Sequence, residues 1–375
     1  MFFTSKNKIS IEQMTLIDDA LDSGASPSAI NFVSNLYEKK KISAYDFETY
    51  IKNSIYVIVP NYLINKYRVK IELEKNRAHS DLQSALYGTI YGDIAGSLYE
   101  FMLPTCERND LTVENCIKEG STFSDDTVLA CKTALVLTEN NGPILKIQQE
   151  KELVTGCFHV SSTYPFEINK FARAYREGVL ENPGVGYGPA CYEWALYNGK
   201  TPYGSYGNGS AMRISPVGEY FDNQDDVILH AAASAAVTHN HPEGVKGSIV
   251  TAMCVWMAKN GHSKDQILNY AKAHYQNSKY RFTDFTMKEL FDIKADQNYL
   301  VSCMYSVPAS IICFYHSDSF EDVINNVLSF YGDTDTLGAI AGGIAGAYYG
   351  VPERIINVVK SHCAEEWFQP IFSYS

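Results

Sequence analysis

Glycine recurs at every fourth position in two stretches, Gly88, Gly92 and Gly96 within LYGTIYGDIAGSLYEF (86–101) and Gly338, Gly342, Gly346 and Gly350 within YGDTDTLGAIAGGIAGAYYGVP (331–352). A repeat of four on a helix stacks its members along one face. A face without Cβ atoms lets another helix approach backbone to backbone. Ile90, Ile94 and Leu98 in the first stretch, and Leu337, Ile340, Ile344 and Ala347 in the second, supply apolar cover. The second run is shorter than the roughly 20 residues a bilayer requires, so it reads as a buried helix of a soluble domain. If the two seams cross, Asp93 and Glu100 come close to the acidic turn that opens the second stretch.

That turn holds Asp333, Asp335 and Thr336, and alternating Asp residues before a helix can converge on one hard cation. Helix capping explains the same residues without a ligand, so a second oxygen cluster is needed. STFSDDTVLACKTALVL (121–137) provides it. Ser124 reads as an N-cap, Asp125, Asp126 and Thr127 fill the first turn, and Val128, Leu129, Cys131 and Leu135 mark the buried face. Both acidic turns therefore sit at helix N-termini, whose positive poles disfavour cations but suit an anionic substrate bound with them.

GSYGNGSAMR (Gly204 to Arg213) is a glycine-dense loop ahead of a helix. It reads either as a backbone cradle for a diphosphate or as a surface turn, and it fits neither the Walker nor the dinucleotide pattern. His239 and His241 sit in VTHNHPEG without a third zinc ligand in spacing, which favours a substrate-contacting or helix-breaking role. Residues 301–316, containing Pro308, return to a buried helical pattern.

The 375 residues leave room for a sizeable core. A net charge of −12 argues against nucleic acid as a partner. An anionic small molecule stays compatible with it, because divalent ions can supply positive charge locally. Nine cysteines form no CxxC pair and no even disulfide framework, which points to a reducing compartment. No signal peptide or membrane span is evident, so a soluble cytoplasmic protein is expected, and signal-independent export remains compatible.

Residues 1–80 read as a separate helical extension. Ser10 and Gln13 form a capping box ahead of Ile11, Met14, Ile17 and Leu21, and Gly24 is placed to end that helix. Further helices are expected from Ser26 and Pro27 and from Ser43. Residues 55–59 fit either a strand or a buried helix, and the charge-rich 67–81 reads as a linker or exposed helix. Residues 81–375 form the second unit.

Taken in order, GTIYGDIAGSLYEF, FSDDTVLA, GSYGNGSAMRISPVG, VTHNHPEG, SVPASIICF and GDTDTLGAIAGGIAGAYYG resemble the ADP-ribosylglycohydrolase family, the group of dinitrogenase reductase-activating glycohydrolase and the eukaryotic ADP-ribosylhydrolases. The resemblance runs from near residue 83 to near residue 368. It implies an all-α orthogonal helical bundle with a binuclear Mg²⁺ or Mn²⁺ centre. By position, Ser124, Asp125, Asp126, Asp333, Asp335 and Thr336 correspond to the metal ligands, with Ser124 where the family usually has Thr. Glu100 corresponds to the glutamate over the metals. Gly204, Ser205, Tyr206, Gly207, Asn208 and Gly209 match the loop that receives the diphosphate and adenosine side, and His239 the histidine that helps hold ADP-ribose. Some relatives stack the adenine on an aromatic residue where this chain has Lys200, so Tyr203 or Tyr206 would have to take that role.

The resemblance implies hydrolysis at C1″ of ADP-ribose attached to a protein, with Asp335 or Glu100 positioning water or assisting proton transfer. The expected partners are the ADP-ribosylated protein and the ADP-ribose product, with no nucleic acid, no membrane and a monomeric enzyme. A binding module without turnover and a metal-dependent phosphoesterase are the two alternatives.

Overall fold

The computed structural model describes residues 9–22, 34, 37–38, 43–44, 65–69, 84–102, 111–138, 167–197, 199, 202–275 and 300–363. The two glycine seams lie against each other. Helix α2 (Ser84–Gly96) and helix α13 (Thr334–Tyr349) run antiparallel, and each is buried over nearly its whole length. A Cβ on Gly92 would come within 2.0 Å of the Gly338 carbonyl oxygen, and one on Gly88 within 2.0 Å of that of Gly342. Gly96 packs on the backbone of Thr334 and Asp335, and Gly346 on the Ser84 carbonyl. The register therefore holds over the full length of α2 and brings its C-terminal end to the N-terminal end of α13. Gly350 does not extend the seam: it ends α13 with φ of 76°, a left-handed conformation that glycine adopts without penalty.

The remaining helices pack around this pair. They are α3 (Asp125–Thr138), α4 (Glu167–Glu181), α5 (Pro189–Leu196), α6 (Gly209–Met212), α7 (Ser215–Tyr220), α8 (Gln224–Ala236), α9 (Pro242–Lys259), α10 (Lys264–Tyr275), α11 (Cys303–Tyr315), α12 (Phe320–Leu328) and α14 (Glu353–His362). Among the described residues there is no strand, only an isolated antiparallel bridge between Gly207 and Ser302. The all-α expectation holds. Helix α7 anchors α2 by two buried bonds: Glu219 Oε1 accepts from the Ala85 amide at 2.8 Å, and the Thr89 and Ser215 hydroxyls lie 2.6 Å apart. Among the described residues no helix is long and apolar enough to cross a membrane.

Helix α1 (Ile11–Asp22) begins with the expected capping box, the Ser10 amide bonding Gln13 Oε1 and the Gln13 amide bonding Ser10 Oγ. The element expected at Ser26, the segment 55–59 and Gly24 lie outside the described residues, as does 70–81 of the charge-rich stretch. Residues 65–69 dock on the main body. Tyr67 is buried, its carbonyl accepts from Tyr270 Oη at 2.9 Å, Arg68 pairs with Asp225, and the Val69 amide bonds Gln224 Oε1 at 2.7 Å. His241 proves to be a helix device. Its Nδ1 accepts from the Glu243 amide at 3.1 Å and Pro242 takes the first turn of α9.

The seam yields a stability prediction. Gly92→Ala or Gly338→Ala is expected to cost about 3 kcal/mol or more, the upper range for overpacking, because the added methyl meets backbone rather than a movable side chain. Gly188, where an added Cβ meets nothing within 4 Å, is the control. Equal denaturation midpoints for a seam substitution and for Gly188→Ala would refute the packing.

Candidate active site

The C-terminal end of α2 carries Asp93, fully buried and the one charged residue of its helix. Its carboxylate accepts from the amides of Ser124 (2.9 Å) and Thr127 (3.0 Å) and from Thr127 Oγ1 (2.5 Å). A carboxylate from α2 thus satisfies the free amides at the start of α3, a cap supplied from another helix. Ser124 adds a local cap: its Oγ accepts from the Asp126 amide at 3.2 Å and donates to Asp126 Oδ2 at 3.1 Å.

Thr336 Oγ1 donates to the same Asp126 Oδ2 at 3.2 Å, so the two acidic turns meet. Single carboxylate oxygens of Asp93, Asp126 and Asp335 all lie within 4.8 Å of one another, and so do those of Glu100, Asp333 and Asp335. Asp335 belongs to both triads. Asp125 belongs to neither; it lines the cleft beneath the loop at Gly186. Asp333 is held by Asn208, whose Nδ2 donates to its Oδ2 at 2.6 Å and to Ser306 Oγ at 3.0 Å.

Burial raises every one of these acids, and mutual repulsion adds to it for Glu100, Asp125, Asp126, Asp333 and Asp335. The carboxyls of Asp125, Asp126 and Asp335 are pushed well above the usual range, first by desolvation and then by neighbouring carboxylates. Burial also raises Asp93, against the bonds it accepts from Thr127 and Ser124. Asp333 is pushed up to about 6 and Glu100 to about 7, both chiefly by desolvation. Such a cluster cannot ionise fully without a compensating cation. The donors fit one: they are hard oxygens, and Asp126 Oδ1 is buried with no hydrogen-bond partner among the described residues. Asp93, Asp126 and Asp335, and Glu100, Asp333 and Asp335, are the groups that can hold divalent ions.

The turn bearing Glu100 is under backbone constraint. Phe101 takes φ of 51°, unusual for a bulky residue. It is held there by its amide, which donates to the Gly332 carbonyl at 2.7 Å, and Thr334 Oγ1 bonds the Tyr99 carbonyl at 3.1 Å. Glu100 is thereby fixed at the exposed edge of the acid cluster.

From that cluster a cleft of about 670 Å³ extends to the glycine loop, within the range of small-molecule sites. Its lining also includes Ser205, Gly207, Asn208, Gly209, Arg213 and His239. Gly204 and Tyr206 do not line it. Tyr206 turns outward onto His241, with ring centroids 5.4 Å apart, while Tyr203 enters the cleft beside His239 at 5.8 Å. Lys200 lies outside the described residues. Burial and the charge of Arg213 hold His239 well below the ordinary imidazole range, so it is neutral.

A family model for ADP-ribosylglycohydrolase matches residues 74–371. The chain belongs to the ADP-ribosylglycohydrolase family. It is a hydrolase by that membership. It is 25% identical to the ADP-ribosylhydrolase ARH3 of Homo sapiens over 331 residues, covering 74% of this chain and 87% of that one. It is 24% identical to the ADP-ribosylarginine hydrolase Tri1 of Pseudomonas putida (strain GB-1), over 80% of each. A solved ADP-ribosylglycohydrolase-related protein complex is similar at TM-score 0.49 and 20% identity, covering 78% of this chain and 98% of that one.

Within this ADP-ribosylglycohydrolase, sequence reasoning placed Asp93 near the acids but gave it no role. Its signal was a lone carboxylate in an otherwise apolar helix. Arg213, fully buried in the cleft wall, likewise showed only as a lone cation in AMRISPVG.

The raised acids carry a pH sign. In metal-free protein the folded state binds more protons than the unfolded state, so this cluster's contribution falls as pH rises from about 4 toward 7. A cation reverses that loss. The melting temperature gained on adding Mg²⁺ is therefore predicted to grow from pH 5 to pH 8, reaching the equivalent of about 2.7 kcal/mol at a hundredfold excess over Kd. Asp335→Asn should abolish the gain. A gain that is flat across the range would place cation binding elsewhere.

Proposed function

We propose that this chain removes ADP-ribose from modified protein side chains by hydrolysing the glycosidic bond at C1″, with two Mg²⁺ or Mn²⁺ ions held by the acid cluster. The observation that carries this reading is the pair of carboxylate triads sharing Asp335, in a cleft lined also by residues of the glycine loop and His239. The names of the similar proteins, an ADP-ribosylhydrolase and an ADP-ribosylarginine hydrolase, support the same substrate class.

Bound cations would supply positive charge to the ligand's hydroxyl oxygens and to attacking water. The protein's own groups divide the remaining work. Ser124, Asp125, Asp126, Asp333, Asp335 and Thr336 form the oxygen floor, together with Asp93, which also locks the start of α3. Glu100, raised toward neutrality at the exposed edge, is suited to hold and pass a proton at the scissile bond. Asp335 sits deeper, common to both triads, and orients water from below. The Gly207–Gly209 turn borders the diphosphate side, and Asn208 couples that turn to Asp333. Tyr203 is the aromatic that borders the cleft on this side. The catalytic unit is 81–375, and 1–80 is an extension whose residues 65–69 dock on it. The enzyme works as a monomer in the cytoplasm.

The test is release of free ADP-ribose from proteins modified on arginine or on serine, with Mg²⁺ and with chelator. Asp335→Ala and Asp126→Ala are expected to lower kcat at least about a thousandfold and Glu100→Gln about a hundredfold, in line with loss of acid–base and metal assistance. AMP as product would make it a phosphoesterase, and ADP-ribose binding without release would make it a binding module.

A further inference from the structure

The cleft wall at His239 contains a short buried relay. Arg213 is fully buried, stacks on the Tyr175 ring at 4.1 Å, and through Nη2 donates to the Ser234 carbonyl and to Thr238 Oγ1, both at 2.8 Å. Thr238 is itself 1% exposed, and its hydroxyl also lies 2.8 Å from His239 Nδ1. A guanidinium donates and never accepts. The threonine hydroxyl therefore accepts from Arg213, and among the described residues the one acceptor left for its own proton is His239 Nδ1. Were Nδ1 protonated instead, the hydroxyl proton would be buried without a partner, a cost of about 1–3 kcal/mol.

The other ring nitrogen has a different setting. His239 Nε2 sits against the glycine turn, 3.0 Å from where a Cβ on Gly209 would lie and 3.6 Å from one on Gly207. Among the described residues no group hydrogen-bonds Nε2, and His239 lines the cleft.

We propose that Arg213 and Thr238 are positioning residues that fix His239 as the Nε2–H tautomer, so that a neutral imidazole donates one hydrogen bond from the cleft wall to an acceptor oxygen of bound ADP-ribose. This deepens the reading under Proposed function and rests on it for the ligand. The fixed tautomer makes the wall a donor without a positive charge. Burial, and after it the nearby guanidinium, keep the ring from protonating, so the donor persists across the neutral range.

The experiment uses the full-length protein labelled with ¹⁵N-histidine, with Mg²⁺ present, comparing wild type, Thr238→Val and Thr238→Ser. His239 is assigned by the signal lost in His239→Gln. Two-bond ¹⁵N–¹H spectra are expected to show wild-type His239 protonated on Nε2 and bare on Nδ1 from pH 6 to pH 8. Thr238→Ser should keep that pattern, and Thr238→Val should show mixed tautomers. By calorimetry the Kd for ADP-ribose is expected to rise about tenfold in Thr238→Val, the loss of one hydrogen bond, and to recover in Thr238→Ser. The loss should fall on KM more than on kcat. A wild-type ring protonated on Nδ1 overturns the proposal even if Thr238→Val does not fold. So does an unchanged tautomer and Kd in a folded Thr238→Val. If wild type shows the Nε2–H pattern but binds no ADP-ribose, the relay stands and the functional reading fails.

Discussion

The contact on which the rest depends is the backbone-to-backbone packing of α2 against α13. Gly88, Gly92 and Gly96 face Gly342, Gly338 and the Thr334–Asp335 backbone, with no room for a methyl at any of the three. Two consequences follow from that closeness. It restricts the register, because a slip of one or two residues would drive side chains into backbone. It also sets the C-terminal end of one helix beside the N-terminal end of the other, so that Asp93, Glu100, Asp333 and Asp335 share a small volume although they lie far apart in the chain.

Gathering five or six carboxylates there is costly. Desolvation raises all of them and repulsion most of them, and the fold offsets only part of this. Amides and hydroxyls at the start of α3 satisfy Asp93, Asn208 satisfies Asp333, and Thr336 and Ser124 converge on one oxygen of Asp126. Among the described residues the other oxygen of Asp126 has no hydrogen-bond partner. Stability is given up locally for a site that a cation completes, which is how functional clusters commonly depart from the rules of a good core. The wall at His239 follows the contrary logic, with a neutral imidazole held beside a buried cation.

Much of this was legible in the linear chain. The glycine period of four in two stretches showed that two helices pack closely, and the Ser-Asp-Asp and Asp-x-Asp-Thr turns showed oxygen donors at helix N-termini. The capping box at Ser10 and the cap and proline at His241 and Pro242 are local signals, and each formed as read or in one of the two ways allowed. What failed to show was any role that depends on a partner distant in sequence. Asp93 looked like a stray charge because the amides it binds belong to α3. Tyr203 and Tyr206 looked equivalent because the direction of a ring from a glycine loop is set by its neighbours, here His239 within the cleft and His241 outside it.

The sequence by itself determined two glycine-faced helices able to approach closely and the kinds of atoms available to a ligand, because periodicity and side-chain chemistry are local properties; the helical class followed from the resemblance of its ordered motifs to a family. Only the tertiary structure decided that Asp335 serves both triads, that Asp125 stands apart from them, and that Arg213 reaches His239 through Thr238. Those are facts about distance and burial, and a desolvated charge or a chain of hydrogen bonds exists only once the helices that carry its members have met.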